Sequence, residues 1–121
     1  MTSDGHAYAR FRRALDARNV TAALSAASAL DHVGLADALE LCLLLRDRDR
    51  GRFDRACLRW HARYCREVRD VTLEEGQAVL ALLVVLRGER APAAARALAE
   101  IFDRRLLLEA SEALARWAQG R

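Results

Sequence analysis

Apolar residues recur along this chain at spacings of three and four, and polar or turn-forming residues interrupt them at short intervals. Tyr8, Phe11, Ala14 and Leu15 stand on one stripe and predict an amphipathic helix over about residues 3–17. Asn19 breaks it, since Asn caps helices and tolerates left-handed backbone. A second helix is expected over 21–30, with Ala23, Leu24, Ala27 and Leu30 on one face. A short connection, 31–34, leads to a third helix over 35–46. Its stretch Leu41, Cys42, Leu43, Leu44, Leu45 is apolar nearly all the way round and predicts a central position. The run 46–52 (RDRDRGR) reads as a loop punctuated by Gly51. A fourth helix follows over 53–69. Thr72, with Glu75 three residues on, predicts a capping box that opens a fifth helix. That helix ends near Arg87, with Gly88 as its stop, and its apolar run makes it a second central helix. Pro92 opens a sixth, in the first-turn position where its missing N–H costs nothing. It runs to about 104, and a seventh helix over 107–118 closes the pattern. The linkers are short, so consecutive helices are expected to be antiparallel neighbours within one domain, 1–121.

Composition narrows this to an all-α fold, a compact antiparallel bundle of six or seven helices. Ala, Leu and Arg number 25, 20 and 20 of 121 residues, whereas Val, Ile and Thr together number 11, too few for several strands. A hydrophobic content of 53% excludes a disordered chain. Three cysteines (Cys42, Cys57, Cys65) without CxxC spacing read as free thiols of a reducing compartment. The stretch from Met1 to His6 has no basic start followed by an apolar run, so no secretory signal is expected. The longest apolar run, nine residues from Ala78 to Leu86, is far below a membrane span. A cytoplasmic protein with no membrane partner is the expectation.

The residues Phe11, Ala14, Leu15, Asn19, Ala23, Leu24 and Ala27 together resemble one helical hairpin of a tetratricopeptide-type repeat. In such hairpins small Ala residues let two antiparallel helices approach closely. The repeat's tryptophan and tyrosine are absent. At the repeat's 34-residue offset, Phe11 maps to Leu45 and Asn19 to Phe53, so the resemblance implies a single hairpin. The chain as a whole, and most of all the segment Leu58, Arg59, Trp60, His61, Ala62, Arg63, Tyr64, resembles the small Arg- and Ala-rich helical proteins of actinobacteria that have no assigned activity. That resemblance implies a fold and a source only.

Charge is concentrated in one place. All 20 basic residues are Arg, against 17 acids, and residues 46–70 hold nine Arg and five acids, so the rest of the chain is slightly acidic. On a wheel of about 100° per residue, Phe53, Cys57, Trp60, Tyr64 and Val68 fall within about 80° of one another. Arg52, Arg55, Arg59, Arg63, Arg66 and Arg69 occupy about 120° of the other side. Trp60 and Tyr64 could stack on bases, but at helical spacing beside Phe53 and Val68 they read as core. Arg63 has Glu67 four residues on and Arg66 has Asp70, whereas Arg55 and Arg59 have no acid at three or four. Each like-charge neighbour costs about 0.2–0.5 kcal/mol on an isolated helix. Three explanations compete: a solvated face in a proteome whose GC-rich codons favour Arg and Ala; pairing with Glu100, Glu109, Glu112 or an acidic partner; or contact with nucleic-acid phosphates. Four phosphate contacts on duplex DNA would give log K a slope of about −3.6 against log salt.

The sequence therefore points to a non-catalytic interaction, adaptor or regulatory module. Arg52, Arg55, Arg59, Arg63 and Arg66 form its contact face toward a protein partner or a second copy of itself. Nucleic acid contacted through the same face is the alternative. A metal- or thiol-dependent enzyme is a third class, resting on Cys57, His61 and Cys65. Neighbours in that trio can share an ion at four-residue spacing, but all three span two turns and cannot easily reach one. Cys also packs as a small hydrophobe, and His61 reads as a half-buried histidine donating one hydrogen bond. No cofactor is implied.

Overall fold

A computed structural model describes residues 3–120. Met1 and Thr2, on which the reading of the N-terminus partly rests, lie outside the described residues. Among the described residues there are seven helices and no strand: α1 (Ser3–Asp16), α2 (Val20–Ser28), α3 (Leu35–Arg48), α4 (Arg50–Glu67), α5 (Leu73–Val85), α6 (Ala91–Arg104) and α7 (Leu108–Gln119). None is long and apolar enough to cross a membrane.

The last five helices close a ring. α3 packs on α4, α4 on α5, α5 on α6, α6 on α7, and α7 returns to α3. Their inward stripes make one core. Trp60 and Tyr64 stack in it and Phe102 is tilted against both, with ring centroids 5.4–5.7 Å apart, in the same core as Leu39, Leu83, Leu98 and Leu114. α6 shows how local sequence produces this: Ala91, Ala94, Ala95, Leu98 and Phe102 recur at helical spacing and are all buried. Ala110 and Ala113 of α7 are buried too, and such small residues let neighbouring backbones approach. Outside the ring, α1 and α2 form a hairpin against α3. Phe11, Ala14, Leu15, Ala23 and Ala26 pack there with Leu44 in a second, smaller core. α3 supplies both cores from different faces, which is why its stretch 41–45 is apolar nearly all round.

Two expectations are corrected. The run 46–52 is helical except for Asp49, the single residue between α3 and α4, whose backbone is non-helical (φ −152°, ψ 76°). Distant partners hold it. Arg46 Nε donates to Leu86 O at 2.8 Å and its guanidinium lies over the Trp117 ring at 5.4 Å. Asp47, with a side chain only 7% exposed, accepts from Arg18 and from Trp117 Nε1 at 2.9 and 3.0 Å. The fifth helix is also not central. Among the described residues α5 packs on α4 and α6 alone of the helices, and Val84 and Val85 are 48% and 39% exposed.

Helix ends follow a rule of their own. No glycine adopts positive φ, but Arg18, Asp70 and Leu106 do. Arg18 and Leu106 close α1 and α6 with paired bonds to the preceding turn: Asn19 N–H to Ala14 O at 3.0 Å, and Leu107 N–H to Phe102 O at 2.8 Å. Asn19 then caps α2 by accepting from Ala22 N–H at 3.0 Å. Thr72 caps α5 through Glu75 N–H at 3.1 Å, but the reciprocal half of the capping box is missing. The Glu75 carboxylate instead accepts from Tyr64 OH at 2.5 Å and from Arg105 Nε at 3.0 Å.

Candidate functional site

α4 divides its residues sharply. Phe53, Cys57, Trp60 and Tyr64 are buried on the ring side. Arg52, Arg55, Arg59 and Arg66 are exposed, and Arg63 is half-buried. The stripe does not face open solvent alone. Arg52, Arg55, Arg59 and Arg63 form one wall of a groove of about 430 Å³ between α4, α3 and α2. Its floor is apolar: Ala38, Leu41 and Leu45 of α3, with the edge of the buried Trp60. Leu24 closes it from α2, a helix without a charged residue. Arg66 lies beyond the groove's end, outside its lining.

The four wall arginines differ in what satisfies them. Arg52 at one end pairs with Asp49 at 2.8 Å. Arg63 at the other pairs with Glu67 at 2.8 Å and holds that carboxyl below its usual range. Between them, Arg55 and Arg59 form no hydrogen bond or ion pair among the described residues. α4's own Asp54 turns to the opposite flank, toward Arg87 at 3.0 Å. Glu109 and Glu112 do not neutralise the stripe either. They line a separate polar recess with Arg12, Asp37, Glu40 and Arg116. The pairing of Arg66 with Asp70 is also unmade; Asp70 has left the helix with φ 55°.

Cys57, His61 and Cys65 do not converge. Cys57 is buried and its thiol pKa is raised, first by a hydrogen bond to Cys42 across the α3–α4 contact and then by burial. His61 Nε2 stands 2.7 Å from Gly76 O, a contact in which the ring nitrogen must donate. Cys65 is exposed, 3.7 Å from that same nitrogen. A nitrogen whose proton already goes to a carbonyl has no lone pair for the Cys65 thiol. Among the described residues no group of three His, Cys, Asp or Glu side chains could hold a metal ion.

Periodicity on α4 located the arginines but missed the groove. Its floor and far wall come from α3 and α2, whose approach to α4 no local pattern encodes. The i, i+3, i+7 row Ala38, Leu41, Leu45 is the available signal, and two of its members fall within the stretch 41–45 read as apolar nearly all the way round. Comparison with protein-family models, curated proteins and solved structures finds no match to this chain.

Proposed function

We propose that this chain is a non-catalytic interaction module that receives an acidic protein partner along the arginine wall of α4. One observation carries the reading. Arg55 and Arg59 are one turn apart, exposed and unpaired among the described residues beside an apolar floor, while both flanking arginines have acids of their own. Guanidinium groups suit carboxylates through their planar donor fork. The like-charge repulsion between them is relieved when a partner brings the missing acids. Thiol catalysis fits the geometry less well, because Cys57 is buried with its thiol favoured and His61 spends its Nε2 proton on Gly76.

Fluorescein-labelled poly-L-glutamate, followed by anisotropy, tests this directly. Binding should weaken as salt rises. Arg55→Ala/Arg59→Ala should reduce it about tenfold, roughly 1.4 kcal/mol. Equal binding by the variant would remove the wall from the argument. Duplex DNA serves as the counter-probe. Binding to DNA alone, with log K falling at about −1.8 per decade of salt as two phosphate contacts require, would transfer the same face to nucleic acid.

A further inference from the structure

We infer that the groove's occupant is an amphipathic acidic helix of about three turns, a refinement that rests on the reading of the arginine wall as a contact surface. The wall from Arg52 to Arg63 extends about 16 Å along α4, at 1.5 Å per residue. That is the length of an eleven-residue helical segment rather than of a compact small molecule. Arg55 and Arg59 stand one turn apart, about 6 Å, the spacing of two carboxylates at i and i+4 on a facing helix.

The floor and the far wall supply the rest. Leu24, Ala38 and Leu41, each half-buried, offer apolar surface below the guanidinium groups, and Leu45 is buried at the base of the groove. A row of apolar side chains at i, i+3 and i+7 on the occupant would cover it, as in helix-in-groove recognition. Charge is one-sided, because α2 contributes none. The occupant's acids therefore belong on one flank of its apolar stripe, which also fixes its direction of rotation in the groove. Duplex DNA would satisfy Arg55 and Arg59 but leave the apolar floor uncovered.

The test uses two synthetic peptides of identical composition. One carries leucines at helical spacing with glutamates at i and i+4 along one flank; the other is a scramble without the stripe. Titration should show the amphipathic peptide binding at least tenfold tighter, with helical circular dichroism appearing on binding. Ala38→Phe, which fills the floor and leaves every arginine in place, should abolish that preference and still bind poly-L-glutamate. If Ala38→Phe does not melt cooperatively, Leu24→Ser takes its place, with a several-fold loss expected. Equal binding of the two peptides, or undiminished amphipathic-peptide binding by a folded floor variant, would overturn the helix while leaving the wall intact. Failure to bind either peptide and poly-L-glutamate would overturn both.

Discussion

The five-helix ring and the α1–α2 hairpin are built from the same alphabet but held by different forces. The ring packs three aromatic rings together inside its circle of helices. The hairpin buries one aromatic, Phe11, and otherwise mostly alanines, each with little apolar area to bury, while its Tyr8 stays exposed. It compensates at its rim. Arg12 reaches Asp37 and Glu40 of α3 at 2.9 and 2.7 Å, and Arg18 reaches Asp47 at 2.9 Å. Packing therefore dominates the ring, and charged clasps share the work in the hairpin. Because α2 lends Leu24 to the groove, the less firmly held region forms part of the candidate binding surface.

The sharpest way to separate the two is to empty each core. Phe102→Ala removes a fully buried ring from the aromatic stack and should cost about 3–5 kcal/mol, lowering the single melting transition. Phe11→Ala should act locally. Hydrogen exchange should show α1 and α2 amides losing protection while the α6–α7 amides keep theirs. If both sets lose protection together, the hairpin is not a separable layer and the contrast fails.

Asp47→Ala probes the joint between the regions. Its carboxylate receives Arg18 from the end of the hairpin and Trp117 from α7. Removing it leaves the buried Trp117 N–H without that acceptor and should cost about 2–3 kcal/mol by denaturant unfolding. A loss below about 0.5 kcal/mol, the level of ordinary surface substitutions, would show that the regions do not depend on this residue. The same residue explains what the sequence could and could not tell. Helix existence was legible wherever apolar residues kept a period near 3.6, and the inward and outward sides of α4 were legible for that reason. The alternating charges of 46–52 looked like loop because Asp47 and Arg46 find their partners up to 70 residues away. α5 looked central because LALLVV is apolar, yet Val84 and Val85 remain exposed on it. Asn19 was expected to break the first helix and Gly88 to stop the fifth; the left-handed backbone falls on Arg18, Asp70 and Leu106.

Acid should find a particular point in the ring. Arg105, donating to Glu75, holds that carboxyl below its usual value, with Tyr64 OH adding to the effect against the opposing pull of burial. A depressed carboxylate pKa contributes stability that is present above the unfolded value, near 4.5, and is lost as pH falls through the folded one. Tyr64 works from the other side. Burial and the hydrogen bond to Glu75 raise its pKa, so its contribution holds below about 10 and fades as pH rises beyond that. Arg105→Gln should flatten the acid limb of a melting-temperature profile between pH 5 and 3. An unchanged limb would show that the Arg105–Glu75 pair does not set the acid sensitivity.

The smallest expected change is the most informative about the groove. Arg55→Ala/Arg59→Ala removes two exposed side chains that pair with nothing among the described residues. Their neighbours on α4 are other arginines, so folding should be unaffected or slightly favoured, by about 0.2–0.5 kcal/mol for each repulsion relieved. The hairpin clasps behave in the opposite way, since losing Arg12 costs stability through Asp37 and Glu40. Denaturant titration of the two variants side by side distinguishes cations that hold the fold from cations that the fold merely carries. A destabilisation of more than about 1 kcal/mol in the Arg55/Arg59 variant, beyond the ordinary range for surface substitutions, would mean these arginines are structural. The contrast between a clasped hairpin and an unclaimed arginine wall would then dissolve. If stability stays level while poly-L-glutamate binding falls, the wall's unsatisfied charge serves recognition rather than folding.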